Sequence, residues 1–399
     1  MKDNGSAGKQ LAFVVLFSSQ KWHNISLKLV FSPHQERTTS TMPVSQLNKG
    51  LRYHASRLLW LLKANFCRKS FFCRALAGES NYNICINSDL SVSCNCQDFD
   101  GSGHIGDLRT DTLEQIFHGT VANKFRDTLA KRRFPISACP VCPELSLVAT
   151  DNIPQLLANC HVPHRGLMVE NTATCNLKCT MCRRKELLGI RRKPALDMQD
   201  VARVAAILEE HRIESVYYFN LGEPFLPDDI CNQIKAIREK NPHIRIITST
   251  NGLLLDTEEK IEAALLMDYI FISLDGINQE MVSRYQIGGN FAKAYENMAR
   301  LAARARQAGR QQQGIRVPII EWRYILFRWN DAPSHMDRAI KLAQNAGVDL
   351  IVFSPGAARF TDRPYRYRFH PYHAKLGKKG PGGEIVVNLS GVPDHLISP

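Results

Sequence analysis

The chain has 399 residues, of which 44% are hydrophobic and 22% are charged, a composition typical of a globular protein with two or three domains. Its net charge of +13 comes from the two ends: residues 1–80 hold twelve Lys or Arg against three acids, and residues 356–399 hold seven against three. A protein that binds nucleic acid through its folded body would carry a basic face there, so no nucleic-acid partner is expected. No apolar run approaches the length of a transmembrane span.

Cysteine is abundant, with twelve residues grouped at short spacings. This grouping in a chain of such length fits metal or cluster binding better than a secreted disulfide framework. We therefore expect a reducing compartment, the cytoplasm.

Residues 1–66 are expected to form a basic, poorly ordered extension. The first 60 residues show little periodicity, and Met42 is an alternative start of the protein. An amphipathic helix is predicted over Leu51–Phe66, where it would pack on the elements that follow.

Residues 67–160 form a cysteine-rich segment whose thiols can converge by folding. Ile84–Ile86 and Ser91–Ser93 are predicted to pair as a hairpin, and Thr112–Leu129 to form one or two helices. The cysteines that could form a metal centre are Cys73, Cys85, Cys94, Cys96, Cys139 and Cys142. A structural zinc ribbon is the main alternative to an iron–sulfur centre.

From about residue 166, runs of branched apolar residues alternate with segments of helical periodicity, as in strand–helix units with parallel strands. The predicted strands are Gly166–Val169, Ser215–Phe219, Ile244–Thr248, Tyr269–Ser273, Ile319–Phe327 and Leu350–Phe353. The predicted helices are Met198–Glu210, Asp228–Lys240, Thr257–Leu266, Phe291–Ala308 and Ala332–Ala346. The fold class is therefore α/β, with residues 161–355 as the main domain and residues 356–399 as a basic tail.

Cys175, Cys179 and Cys182 follow the first of these strands at spacings of four and three residues. Three thiols so spaced can hold three corners of a cubic iron–sulfur cluster and leave the fourth iron open to a cofactor or substrate. A structural zinc site normally has four ligands, which this loop does not supply. A redox dithiol is the other alternative for the Cys-x-x-Cys fragment.

Three further motifs follow the next three strands. They are Gly222-Glu223-Pro224, Asn251-Gly252 and Ser273-Leu274-Asp275-Gly276. With the three cysteines, and in this order, they resemble the signature of the radical S-adenosylmethionine (SAM) superfamily. The resemblance implies a partial (β/α)6 TIM-like barrel, whose loops at the carboxyl ends of the strands meet in one site.

The same resemblance implies the cofactors and their ligands. Cys175, Cys179 and Cys182 would hold a 4Fe–4S cluster, and Glu223 would receive the amino group of SAM. The other residues implied to contact SAM are Met181, Gly222, Pro224, Asn251, Ser273 and Asp275. Superfamily members often carry an aromatic residue in place of Met181, whose thioether can also pack against adenine.

The cysteine-rich segment resembles the SPASM or twitch module, which carries auxiliary iron–sulfur clusters in many radical SAM enzymes. The matching residues are Ser91–Cys94, Ile105–Leu108, Leu113–Phe117, Phe125-Arg126 and Cys139–Cys142. The module usually follows the barrel, whereas here it precedes it, and the usual hairpin glycine is Leu90. The resemblance assigns Cys94, Cys139 and Cys142 to an auxiliary cluster, and Cys73, Cys85 and Cys96 are candidates for the remaining ligand.

The resemblance also implies an activity. A reduced cluster would cleave SAM to methionine and a 5′-deoxyadenosyl radical, which would abstract hydrogen from a substrate. We expect oxidation or epimerisation of a small polar, sugar-like metabolite, with an electron donor such as flavodoxin or ferredoxin. The alternatives are a maturase that modifies a peptide or protein substrate and, from another class, a non-enzymatic iron–sulfur or zinc protein.

Overall fold

The computed structural model describes residues 44–96, 98–312, 314–356, 362–369, 375–380 and 382–397. Most of the expected basic extension, including Met42, lies outside these residues. The described elements from Ser45 onward belong to one compact unit. Among the described helices, none combines the length and the apolar character that crossing a bilayer requires.

Short helices and strands precede the main parallel strands. In chain order they are α1 Val44–Phe66, β1 Lys69–Cys73, α2 Arg74–Ala77, β2 Cys85–Ile86, β3 Ser91–Ser93, β4 His104–Asp107, α3 Leu113–Phe117, α4 Thr120–Ala130, β5 Leu145–Ala149 and α5 Ile153–Ala158. The helix predicted over Leu51–Phe66 is confirmed and begins earlier, at Val44. The predicted helical segment Thr112–Leu129 is confirmed as α3 and α4.

Helix α1 packs on the elements that follow it. The Trp60 indole Nε1 donates a hydrogen bond of 3.0 Å to the Pro140 carbonyl. Ala64 is fully buried in the same cluster as Phe71 of β1. These contacts fix the carboxyl half of α1 against the segment that carries Cys139.

The predicted hairpin is confirmed as the antiparallel pair β2 and β3, with Cys85 opposite Ser93. Leu90 lies in the turn with φ of +64°, in the left-handed region that favours glycine. Its side chain is nevertheless buried. The backbone here therefore has a conformation that glycine adopts more readily than leucine.

The chain then alternates between strands and helices. In order, the elements are β6 Leu167–Val169, α6 Arg184–Leu188, α7 Met198–Glu210, β7 Ser215–Tyr217, α8 Ile230–Lys240, β8 Arg245–Thr250, α9 Glu258–Leu265, β9 Tyr269–Ser273, α10 Gln279–Tyr285, α11 Phe291–Ala308, β10 Gln311–Gln312, β11 Ile315–Arg316, β12 Ile319–Leu326, α12 Pro333–Ala346 and β13 Leu350–Pro355. The chain after residue 355, expected as a basic tail, adds α13 Tyr365–Phe369, β14 Lys378–Lys379 and β15 Ile385–Asn388.

The six predicted strands correspond to β6, β7, β8, β9, β12 and β13, and each pairs in parallel with the next. The mixed α/β class with a parallel sheet is therefore confirmed. Closure of this sheet into a partial barrel stays a prediction.

The sheet continues beyond the parallel strands at both ends. At one end β2 pairs in parallel with β6, with Cys85 opposite Met168, so the hairpin belongs to the main sheet. At the other end β15 pairs antiparallel with β13. The complete strand order is β14-β15-β13-β12-β9-β8-β7-β6-β2-β3-β4.

The two faces of the sheet have different neighbours. On the face that we call the back face, side chains such as Ile246, Ile270 and Trp322 pack in one buried cluster with the helices. The opposite face, here called the front face, carries a second cluster. Its strand residues are Cys85, Met168, Tyr217, Ile247, Tyr269, Phe271, Ile319 and Leu350.

Each expected motif lies just beyond the carboxyl end of a parallel strand. The cysteine loop follows β6, Glu223 follows β7, Asn251 follows β8 and Asp275 follows β9. Because neighbouring parallel strands end at the same edge of a sheet, these loops lie side by side.

Candidate functional site

Cys175, Cys179 and Cys182 are free thiols of intermediate exposure on the loop between β6 and α6. Their charges interact: burial, followed by the charges of Cys175 and Cys182, raises the pKa of Cys179 to about 12. Burial is also the main cause that raises the pKa of Cys175. Because thiols bind iron as thiolates, loading a cluster here would release protons.

The cysteine loop is fastened to the end of α10. Lys178 N donates to the Ile287 carbonyl and Thr180 N donates to the Tyr285 carbonyl, both at 3.0 Å. These backbone bonds hold the middle of the loop, on either side of Cys179, against the end of α10.

The motif after β8 contacts the cysteine loop directly. Asn251 Nδ2 donates a hydrogen bond of 2.8 Å to Asn176 Oδ1, and it lies 4.0 Å from Cys175 Sγ. The next residue, Gly252, has φ of +76°, which explains why glycine stands there.

Glu223 connects the motifs after β7 and β8. Its Oε1 accepts hydrogen bonds from Thr250 Oγ1 at 2.6 Å and from Phe225 N at 3.2 Å, and its Oε2 accepts one from Asn251 N at 2.9 Å. The residue is 2% exposed, and burial raises the pKa of its carboxyl group while the three hydrogen bonds oppose that rise. Glu223 therefore orders the segment Thr250-Asn251, a role that the sequence did not predict.

Gly222 allows two parts of the chain to approach closely. A Cβ atom at this position would lie 1.9 Å from the Thr172 carbonyl oxygen, far inside any real contact distance. The chain's own backbone therefore requires glycine at this position, and the expected contact of Gly222 with SAM stays a prediction.

Asp275 and Ser273 lie at the carboxyl end of β9. Asp275 Oδ1 accepts a hydrogen bond of 2.7 Å from Ile325 N, and burial raises the pKa of this carboxyl group to about 7. Ser273 Oγ lies 3.4 Å from Ser249 Oγ on the neighbouring strand. Both residues therefore contact a neighbouring strand at this edge of the sheet, and the charge of Asp275 also reaches Cys179.

The two remaining expected SAM residues lie on the same loops. Pro224 is buried, and its carbonyl accepts a hydrogen bond of 3.0 Å from Asn171 Nδ2. Met181 is partly exposed beside Cys182. The contacts described above join Cys175, Asn251 and Glu223 into one group, whereas Met181 joins it through the cysteine loop alone.

A second set of four thiols consists of Cys73, Cys94, Cys139 and Cys142. Burial, with the charges of Cys142 and Cys139 added, raises the pKa of Cys73 to about 12. Burial also raises the pKa of Cys94 well above its ordinary value, and Cys73, Cys139 and Cys142 add to the rise. Burial and then Cys142 raise the pKa of Cys139 to about 11. Each of the four thiols is therefore within electrostatic range of the other three.

Three separate elements bring these thiols together. Cys73 ends β1, whose antiparallel partner β5 begins after Cys142. Cys94 directly follows β3, and its N–H donates to the Gly103 carbonyl at 2.9 Å. This convergence depends on the pairing of β1 with β5, which spacing in the sequence does not reveal.

Cys85 and Cys96 have different surroundings. Cys96 Sγ donates to Asn83 Oδ1 at 3.2 Å, and burial, followed by the charge of Cys142, raises its pKa to about 12. Cys85 is fully buried on the front face, 3.6 Å from Asn220 Nδ2. Cys96 is thus within electrostatic range of Cys142, and Cys85 is within range of Cys96.

Among the described residues, no three His, Cys, Asp or Glu side chains form a group that could hold a metal ion. A tetrahedral zinc ion binds thiolates at about 2.3 Å, which brings their sulfur atoms within about 4 Å of one another. An iron–sulfur cluster distributes its thiolates over different irons and accepts wider spacing. Thiols are ligands of both kinds of centre, so the residue types of the two sets fit either a zinc ion or an iron–sulfur cluster.

Arg323 on β12 has two partners that the sequence did not predict. Arg323 Nε donates to Glu321 Oε1 at 2.7 Å, and the guanidinium carbon lies 4.1 Å from the centre of the Phe271 ring. Opposite charges two residues apart on a strand are the signal that would have revealed this pair, because such residues share a face.

Comparison with known proteins gives a family for part of the chain. The sequence model described as Radical SAM superfamily matches residues 169–314. The GTP 3′,8-cyclase of Limosilactobacillus fermentum is 26% identical over 143 residues, which cover 35% of this chain and 42% of that enzyme. The GTP 3′,8-cyclase of Cronobacter sakazakii is 33% identical over 117 residues, which cover 28% of this chain and 34% of that enzyme.

A solved structure of anSMEcpe with bound AdoMet is 16% identical, with a TM-score of 0.38 over 49% of this chain and 55% of that one. The matched part of the chain spans 42% of the length of the first cyclase and 34% of the second. The matched segment contains the cysteine loop and the motifs after β7, β8 and β9. These sequence matches support an enzyme, and they identify residues 169–314 as a domain of the radical SAM superfamily.

Proposed function

We propose that the chain is a radical SAM enzyme that holds a 4Fe–4S cluster at Cys175, Cys179 and Cys182 and binds SAM beside Glu223 and Asn251. The hydrogen bond between Asn251 and Asn176 carries this proposal, because it joins the loop after β8 to the cysteine loop. Residues far apart in sequence are thereby held where one cofactor could touch both.

The cluster and SAM would together supply a 5′-deoxyadenosyl radical that removes hydrogen from the substrate. The chain's own contribution is to position the cofactor and to exclude water. The Glu223 carboxylate, which is 2% exposed, offers the remaining lone pair of its Oε2 to the ammonium group of SAM. Low exposure makes such a charged hydrogen bond stronger than it would be in water.

We further propose an auxiliary iron–sulfur cluster at Cys73, Cys94, Cys139 and Cys142. The pairwise interaction of these four thiols supports this set over one that includes Cys85 or Cys96. A cluster held by four thiolates has no open iron, so it would transfer electrons rather than bind substrate. Such a cluster could accept the electron released when a substrate radical is oxidised, which favours oxidation over epimerisation.

We propose a small polar molecule as the substrate. The named activity of the two relatives, GTP 3′,8-cyclase, is carried out on a small molecule, and the similarity covers the segment that contains the SAM motifs. This supports a small-molecule substrate over a peptide. A sugar-like substrate and an external electron donor such as flavodoxin or ferredoxin remain parts of the proposal.

Formation of 5′-deoxyadenosine by anaerobic, reduced, cluster-loaded protein tests the main proposal. We expect the wild type to form this product from SAM and Cys179→Ala to form none. Cys67→Ala removes an exposed thiol and is the matched control, with unchanged product. A wild type that binds iron but does not cleave SAM would refute the proposal and favour the non-enzymatic alternative.

Iron content and electron paramagnetic resonance test the auxiliary cluster. Two 4Fe–4S clusters correspond to about eight iron atoms per chain. We expect Cys73→Ala to lose the signal of one cluster, whereas Cys96→Ala and Cys67→Ala retain both. Two intact signals in Cys73→Ala, with one lost in Cys96→Ala, would show that the ligand set is wrong.

A further inference from the structure

Arg323 lies on the front face of the sheet, beside the expected SAM site. In the register of β12 and β9 it is the direct partner of Ser273. Its guanidinium group lies over the Phe271 ring at 4.1 Å, and its Nε donates to Glu321 at 2.7 Å. The arginine is therefore held from two sides.

Glu321 is itself fixed. It is fully buried, and its Oε2 accepts a hydrogen bond of 2.6 Å from Tyr269 Oη while its Oε1 accepts the bond from Arg323. Burial lowers the pKa of Arg323, but the charge of Glu321 and its hydrogen bond outweigh that effect. The pKa is therefore raised overall, and the guanidinium stays charged. The Arg323 side chain is thus oriented and charged before any ligand arrives.

The two terminal nitrogens of Arg323 make no hydrogen bond to the described residues, although the Glu384 carboxylate also lies within electrostatic range of the guanidinium. Over the part of the chain that the structure describes, neither Nη1 nor Nη2 donates a hydrogen bond, and the side chain is 29% exposed. A guanidinium edge with parallel N–H groups matches the two oxygens of a carboxylate or phosphoryl group. Because the side chain is already ordered, binding such a group costs little further side-chain entropy.

Aromatic rings continue from this arginine along the front face. The Phe219 ring lies 6.2 Å from the Phe271 ring, and Tyr217 lies 6.4 Å from Phe219. Phe271 and Tyr217 are buried, whereas Phe219 is partly exposed and provides an apolar surface for the flat part of a small molecule. The front face therefore combines an anion-binding group with an aromatic surface next to Ser273.

We propose that Arg323 binds an anionic group of the substrate, a carboxylate or a phosphoryl group, while the rest of the substrate lies against Phe219. This inference deepens the proposed function by naming the substrate class, and it rests on that function. Glu321 is the positioning residue that holds the arginine.

Equilibrium binding to anaerobic, cluster-loaded protein tests this proposal with two pairs of probes. GTP is compared with uncharged guanosine, and anthranilate with uncharged anthranilamide, so that each pair differs in its anionic group. We expect at least one anionic probe to bind about tenfold or more tightly than its neutral counterpart. A preference within the first pair indicates a phosphoryl group, and one within the second pair indicates a carboxylate.

Variants distinguish a specific role of Arg323 from a general effect of positive charge. We expect Arg323→Met to abolish the preference and Arg323→Lys, which keeps the charge but loses the two-donor edge, to retain part of it. Arg328→Met removes the same charge at an exposed position just beyond β12 and should keep the preference.

Three outcomes overturn the proposal: both anionic probes bind no better than their neutral partners, Arg323→Met keeps the preference, or Arg328→Met loses it to the same extent. A change in the Kd of SAM in Arg323→Met, with the probe preference unchanged, would instead make Arg323 a ligand of the SAM carboxylate and also overturn it. Failure of the proposed function would appear separately, as the absence of 5′-deoxyadenosine from the wild type.

Discussion

A buried ion pair attaches the hairpin β2–β3 to the parallel strands, and we expect Arg191→Met to destabilise the fold by about 3 kcal/mol. Glu170, just after β6, is fully buried, and Arg191 Nε lies 2.7 Å from its Oε1. Arg191 Nη2 also donates to Asn87 Oδ1 in the hairpin turn at 2.8 Å. The variant would remove both links at once.

The size of the expected loss of stability follows from the hydrogen bonds that Glu170 would keep in the variant. Removing one partner of a buried ion pair typically costs about 3–5 kcal/mol, because the other charge is left uncompensated. Glu170 would still accept hydrogen bonds from Ser88 N at 3.3 Å and from Asn220 Nδ2 at 3.1 Å. These two donors partly compensate the charge, so we expect the lower end of the range.

Urea unfolding of metal-free protein, followed by circular dichroism, measures this change from the midpoint and slope of the transition. The double variant Glu170→Gln with Arg191→Met removes both charges and should recover part of the loss. Arg192→Met is the matched control: its side chain is 67% exposed and pairs with Asp107 at 3.2 Å, so it should cost less than about 1 kcal/mol. A similarly small loss in Arg191→Met, or a double variant less stable than the single one, would refute the reasoning.

Three further predictions concern the site. Glu223→Gln would turn an amide N–H towards one of the groups that now donate a hydrogen bond to the Glu223 carboxylate. We therefore expect 5′-deoxyadenosine formation to fall at least about 100-fold at unchanged iron content. Full activity would contradict this role. Because burial raises the pKa of Asp275 to about 7 from 3.8, the folded state binds a proton that the unfolded state releases between these values, so wild-type stability should fall as pH rises from about 4 to about 7. Asp275→Asn should lack that part of the fall, as urea midpoints of metal-free protein across this range would show. Gly222→Ala would place a Cβ atom 1.9 Å from the Thr172 carbonyl oxygen, so we expect a loss of at least about 2 kcal/mol in urea unfolding, and an unchanged midpoint would count against the described contact.

The secondary structure of the parallel region was predictable because its signals are local. Strand β9 was predicted with its observed bounds, Tyr269–Ser273, since it is a continuous apolar run between two helical segments. The motifs were predicted to lie just after the strands, and parallel pairing then places them at one edge. That prediction needs strand order and direction only.

The contacts within the site were less predictable. The sequence suggested Glu223 as a SAM ligand, but its hydrogen bonds to Thr250 and Asn251 depend on how closely the loops after β7 and β8 approach. The same is true of Gly222, whose close neighbour Thr172 lies on the loop after β6. Such distances are set by the packing of whole strands against one another.

The sequence by itself determined the six strands that became β6, β7, β8, β9, β12 and β13, the loop that carries Cys175, Cys179 and Cys182, and the existence of a second set of thiols. Tertiary structure alone decided that Cys73 lies with Cys94, Cys139 and Cys142, and that the hairpin continues the main sheet through β2 and β6. The physical reason is range: hydrophobic periodicity and turn residues act between near neighbours, whereas pairing of β1 with β5 or of β2 with β6 depends on chain segments that only folding brings together.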